Sequence, residues 1–256
     1  MGNKHSITLH LIQDKKVAQS LLDIAEKEDY YLEDCYSDRA NSLARRNLNY
    51  TANSISPIDM NTANSFIQTV RLPLKLSNEL GEINIIQLMP SSDGGMPHTR
   101  PGIICYPTFS FSSSTLIHEL WHVHQRKYKD YWSHIFKQIG WAVWNGYLPD
   151  KLEHNRRYNP DTVDSPLWIF KNTWVPVPIF LNIMNPSMDQ CEVWFYNISG
   201  YYTRIIPDEL ATYYTGLDNI ELEHPREITA YMLSEHQKFS SPGYNDLINA
   251  IGRDAL

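Results

Sequence analysis

Five consecutive residues, His118-Glu119-Leu120-Trp121-His122, hold the most specific chemistry in the chain. On a helix, side chains four apart share a face, so His118 and His122 can offer two imidazole nitrogens to one metal ion. Glu119 sits beside them and can reach a water on that ion without being a ligand. This is the mechanical content of H-E-x-x-H: two zinc ligands and a general base. Leu116, Ile117, Leu120 and Val123 are apolar, as expected of a core helix with one polar stripe, and such a stripe must be satisfied by something. The alternative, an exposed helix with its histidines in water, is opposed by those apolar flanks. His124 falls about 200° round the helix from His122 and reads as an ordinary core or surface histidine.

A catalytic zinc keeps three protein donors and one open position, so a third ligand is required. The metzincin continuation fails, because Gln125 and Tyr128 stand where its glycine and third histidine would be. The downstream glutamate of thermolysin-like and aminopeptidase-like enzymes is also missing, with Trp141 and Ala142 in its place. The segment His224-Pro225-Arg226-Glu227-Ile228-Thr229-Ala230-Tyr231 resembles the Pro-x-Glu-x-x-Ala pattern of the glutamate-type zincins (gluzincins). The resemblance spans this segment and the His118–His122 motif and no more. It implies a zincin-like metallopeptidase in which His118, His122 and Glu227 hold one Zn2+, and Glu119 activates a zinc-bound water to hydrolyse a peptide or protein substrate. Ala230 would let the second helix approach the motif helix closely.

Many gluzincins carry an acid one turn after the ligand glutamate. Tyr231 stands there instead, so the outer partner of the ligand imidazoles is expected to be Tyr231 or an acid from elsewhere. Glu227 also has a bland explanation as the third residue of its helix, where glutamate caps the backbone. Glu209 and Glu223 are the competing carboxylates. Tyr213, Tyr214, His224 and Tyr231 are candidates for the donor that stabilises an oxyanion or supports a ligand. The resemblance further implies an extended peptide lying along a strand edge beside the motif helix. The stretch from Gly94 to Tyr106 could form that rim, with His98 as a substrate contact; a turn into a core strand explains it equally well. A non-peptide amidohydrolase or esterase, and a non-catalytic protein with a structural zinc, are the alternatives in function.

These residues need a framework, and the chain of 256 residues is long enough to bury one. The expected class is α+β: a zincin-like domain over 51–256 with a small mixed sheet and an active-site helix, preceded by a helical extension over 1–50 packed on the main body. Residues 14–47 read as helical, with Val17, Leu21, Leu22, Ile24 and Ala25 at helical spacing. Asn47 to Ser56 reads as a linker. Ser56-Pro57 opens a helix to about Val70, Glu82–Leu88 and Ile103–Tyr106 read as strands, and Pro90–Gly95 as a turn. The serines at Ser110 and Ser112–Ser114 cap a motif helix running to roughly Tyr131. Trp174–Asn182 and Glu192–Ile198 read as strands, Pro207 and Pro225 as helix starts, with the last helix from Arg226 to about Lys238. Trp132, Trp141, Trp144, Trp168 and Trp174 read as core.

The net charge of -7 argues against nucleic acid, which needs clustered cations. Lys15-Lys16, Arg45-Arg46 and Arg156-Arg157 read as solvated faces. No apolar run reaches the length of a membrane span, and no signal peptide is recognised, so a cytoplasmic location is expected. Gly2 and Ser6 match the short myristoylation pattern. Cys35, Cys105 and Cys191, odd in number and widely spaced, suggest buried thiols in a reducing compartment.

Overall fold

The computed structural model describes residues 7–108 and 112–256; Gly2, Ser6 and Ser110 lie outside them. The first described element is a strand, β1 (Thr8–Ile12), and helices follow it. Asp14 accepts the Lys16 and Val17 amides to start α1 (Lys15–Asp29), which stops where Tyr30 turns left-handed at φ 54°. Two one-to-two-turn helices follow, α2 (Tyr31–Ser37) and α3 (Arg39–Arg45). The stretch expected as one helical run is thus three helices, and the first fifty residues supply a strand as well. On α1 the buried stripe is Ala18, Leu22, Ala25 and Asp29, while Val17 and Ile24 face solvent.

The expected linker carries β2 (Ala52–Asn53), which pairs with the end of a later strand. Ser56 caps α4 (Pro57–Thr69) by accepting the Asp59 amide; α5 (Leu74–Glu79) and β3 (Glu82–Leu88) follow. A tight turn with Asp93 at φ 43° leads into β4 (His98–Arg100) and β5 (Ile103–Tyr106). The first sheet has the order β1-β3-β5-β4 with β2 also on β3; β1, β3 and β5 run parallel, and β4 returns antiparallel as an edge.

Successive side chains of a strand face opposite sides, and both sides of this sheet are buried. Ile86, Leu88, Ile103 and Cys105 meet α1, whereas Ile83, Ile85, Ile104 and Tyr106 meet the motif helix α6 (Ser113–Lys127). The sheet is therefore the middle of three layers, and α1 is part of its core. Cys35 and Cys105 are buried free thiols.

Ser112 caps α6 by accepting the Thr115 amide. The helix ends at Lys127, short of the expected Tyr131, because Tyr128 leaves helical geometry and its hydroxyl donates to Glu79 O. α7 (Lys129–Gln138), β6 (Trp141–Val143) and α8 (Asp150–Glu153) follow. The second half is an antiparallel meander of β6, β7 (Trp168–Phe170), β8 (Trp174–Phe180), β9 (Cys191–Asn197) and β10 (Tyr201–Thr203). Trp132, Trp141, Trp168 and Trp174 fill the main core and Trp144 a satellite. The chain ends in α9 (Asp208–Tyr213), α10 (Pro225–Ser234) and α11 (Pro242–Ile251). The last is an unexpected helix, begun by Ser241 and Pro242 in the same cap-then-proline pattern as α4. The architecture is α+β, and no helix among the described residues is long and apolar enough to cross a membrane.

Two of the basic pairs read as solvated are half interior. Arg45 is 2% exposed and donates to Asp93, and Arg157 is 6% exposed and donates to Glu223. Arg100 of β4 is fully buried and forks onto Asp29 at 2.7 and 2.6 Å, with Glu26 at 2.6 Å, pinning α1 to the sheet edge. Removing one member of such a set strands the others without a partner. Arg100→Leu is expected to cost about 3–5 kcal/mol, read by denaturant unfolding; a loss below about 1 kcal/mol would show that the fork is not holding the layers.

Candidate metal centre

The site forms where α6 and α10 pack side by side. His224 precedes α10 and its Nδ1 accepts the Arg226 amide, so the helix is capped by a ring nitrogen and continued by Pro225 at its first position. That leaves Glu227, whose bland reading was as a cap, free for other partners. Its Oε2 lies 3.3 Å from His118 Nε2 and 3.3 Å from His122 Nε2, and the two imidazole nitrogens are 2.9 Å apart. Ala230 is fully buried on the same helix.

Donors bound at about 2.0–2.2 Å in a tetrahedron stand roughly 3.3–3.6 Å from one another. Both carboxylate–imidazole spacings meet that figure, and the imidazole pair needs to open by only a few tenths of an ångström. His118, His122 and Glu227 could therefore hold a metal ion, and they are the only such group among the described residues. A second observation fits an ion and its water: Glu119 is 3% exposed, and its Oε2 is buried with no hydrogen-bond partner. An orphaned carboxylate oxygen beside a donor triad is costly unless something polar fills the gap.

Burial pulls the His122 imidazole down, but the Glu227 and Asp161 carboxylates outweigh it and leave it at about 9. Burial works against ionisation of Glu227, yet His122 and His118 hold it well below the usual carboxylate range. Burial, with Asp161 next, pushes Glu119 well above that range. Tyr231, whose ring meets the His118 ring edge-on at 4.4 Å, is also raised, by burial and then by Glu227.

The outer partners are not those expected. His122 Nδ1 lies 2.9 Å from Gln125 Oε1, so an amide on the motif helix stands in place of Tyr231 or an acid. The signal for it was present, since Gln125 lies one turn beyond His122. Glu227 Oε1 accepts from Asn159 Nδ2 at 2.9 Å. Asn159 belongs to the long segment between α8 and β7, whose start runs along β8 through Arg157 N to Pro178 O at 2.8 Å. No local sequence signal marks that segment as part of the site.

His118, Glu227 and Glu119 line one cavity of about 420 Å³, together with His98, Asn159, Asp161, Glu223 and Tyr231, while His122 is fully buried behind them. Glu223 is buried there, bound to Arg157 and sharing the Asn159 amide with Glu227; burial, offset in part by Arg157, leaves it raised. His98 is only 2% exposed, with Nε2 on the Tyr50 hydroxyl and Nδ1 on Met96 O, so it faces the cavity with both nitrogens engaged. The remaining candidates lie elsewhere. His224 has both nitrogens committed and is held neutral, at about 3, by burial and Arg226. The Tyr214 hydroxyl meets Trp141, that of Tyr213 donates to Asp246, and Glu209 accepts from Trp174. His124 is a core residue between Glu79 and Trp132, lowered to about 4 by burial.

No protein-family model matches the chain, and neither a curated protein nor a solved structure matches it.

If the triad binds a divalent ion, His118→Ala and Glu227→Ala should each weaken binding by more than roughly 100-fold. Glu209→Ala should leave it unchanged. Chelator-competition titration measures all three, and full affinity in Glu227→Ala would remove it from the ligand set.

Proposed function

We propose that the protein is a zinc-dependent hydrolase with a zincin-like arrangement, acting on peptide bonds. The observation that carries this is the convergence of three donors at the wall of a cavity beside a buried glutamate with an oxygen that has no protein partner. The donor set suits zinc, which takes imidazole nitrogen and carboxylate oxygen in tetrahedral sites. A zinc ion held there would supply Lewis acidity and bring the pKa of a water toward neutrality.

The other roles belong to the chain. Glu119 is placed to take a proton from an attacking water and return it to a leaving amine. Tyr231 faces the same cavity with its ring against His118, and its hydroxyl, held protonated by burial and Glu227, is the best-placed donor for a developing oxyanion. Asn159 and Gln125 keep Glu227 and His122 aimed. The unpartnered Glu119 also argues against a purely structural ion, which needs no base.

The edge strand β4 runs beside α6. One observation there favours a second substrate class. The Thr99 amide donates to Asp161 Oδ1 at 2.7 Å, and Thr99 O accepts from Arg126. An extended peptide adding to this edge would find both groups occupied, whereas a compact amide or ester would need neither.

Glu119→Gln is expected to lower turnover by about 10²–10⁴-fold with zinc still bound. The comparison needs a panel of peptides alongside small N-acyl amides and esters. Peptide turnover surviving in Glu119→Gln would overturn the mechanism, and turnover confined to the small compounds would replace the peptide.

A further inference from the structure

Gln125 is fully buried and spans two helices. Its Nε2 lies 3.0 Å from Arg226 O and 3.0 Å from Thr229 Oγ1, both on α10, and its Oε1 lies 2.9 Å from His122 Nδ1. A backbone carbonyl can only accept, so Arg226 O requires the amide nitrogen on its side. The Thr229 hydroxyl agrees, because it donates to Pro225 O at 2.8 Å and so offers a lone pair to Gln125. The amide oxygen must then face His122, and an oxygen without a hydrogen cannot donate. His122 Nδ1 therefore carries the proton. In the neutral ring this leaves the lone pair on Nε2, the nitrogen that faces His118 and Glu227.

We propose that α10 sets the tautomer of His122 through Gln125, which makes Gln125 a positioning residue for the metal. The proposal rests on the metal reading of the triad and adds a direction of control. The helix that brings the third ligand also prepares the second one, so docking of α10 and readiness of the site are one event. A chemical consequence follows from the residue type. A carboxylate partner would raise the basicity of the ligand imidazole; a neutral amide orients the ring without adding charge, so an ion held there would keep more of its Lewis acidity.

The test has two arms. In the ¹⁵N-labelled zinc-loaded protein, long-range ¹H–¹⁵N correlation should show His122 protonated at Nδ1 and ligating through Nε2. The same Nδ1–H tautomer should dominate in metal-free protein at a pH where the ring is neutral. A proton on Nε2 in the neutral ring, or ligation through Nδ1, overturns the proposal. In the second arm, Gln125→Leu should weaken zinc binding by roughly 10–100-fold, and Thr229→Val by a smaller factor, with the unfolding midpoint checked for each. A folded Gln125→Leu that binds zinc within about twofold of the wild type would reduce Gln125 to packing. If that variant does not fold, the spectra of the wild type decide. A wild type that binds no zinc removes the metal reading, and the metal-free spectrum then decides the Gln125 assignment separately.

Discussion

The contact between α6 and α10 includes polar groups that neither helix could bury alone. A carboxylate or an unpaired imidazole taken out of water costs several kcal/mol unless partners meet it. His118, His122 and Gln125 on one helix therefore need Glu227, Thr229 and the Arg226 carbonyl on the other. An apolar pair of helices could slide by a turn at small cost. Here a slide would separate every donor from its acceptor, so the register is fixed by chemistry as much as by packing. The first sheet packs on α6, and the turn Asn219–Leu222, which touches both α10 and β9, ties α10 to the meander, so the two helices are held at that register.

A second set of charges clamps the same helices from outside the cavity. Asp164 receives Arg126 from α6 at 2.8 Å, Arg226 from α10 at 2.5 Å and Lys129 from α7 at 2.8 Å. Burial opposes its ionisation, and the Arg126 and Arg226 guanidiniums outweigh that and hold it below the usual carboxylate range. Arg126 also donates to Pro160 O, and Arg226 to Asp161 O. The segment that carries Asn159 and Asp161 into the cavity is thus tied to both helices at once. A loop in such a place can hold side chains to hydrogen-bond tolerance, which a freely moving one cannot.

What could be read from the chain was local. Ser56-Pro57 and His224-Pro225 mark α4 and α10 because caps act within one turn, and Glu82–Leu88 is a strand because its apolar run meets the sheet on both faces. The i,i+4 spacing of His118 and His122 needed only helix geometry. What failed depended on distant partners. Val17 and Ile24 suit a helical stripe as well as Ala18 and Leu22 do, and only the sheet decides which side is buried. Arg45 and Arg157 look like surface cations until Asp93 and Glu223 are brought to them from 48 and 66 residues away. Gln125 was read as a residue that breaks a different pattern; its meaning appears only with α10 beside it.

The open side of the site separates a catalytic centre from a structural one. A structural zinc is closed by four protein donors, whereas a catalytic one keeps a position for water or substrate. Among the described residues the donors that converge are three, and no fourth side chain joins their group. Glu223 might have been that fourth, but Arg157 and Asn159 hold it. Asp161 Oδ1 is taken by the Thr99 amide and hydroxyl, and Asp161 is outside the converging group. The remaining direction opens on the cavity, where Glu119 waits without a partner and Tyr231 stands against His118. A polypeptide that needed only to staple two helices would have little use for that space or for the cost of burying an unsatisfied carboxylate within it. On the proposed zinc reading, the side of the donor group that faces the cavity, with Glu119 beside it, is what a hydrolytic site would need.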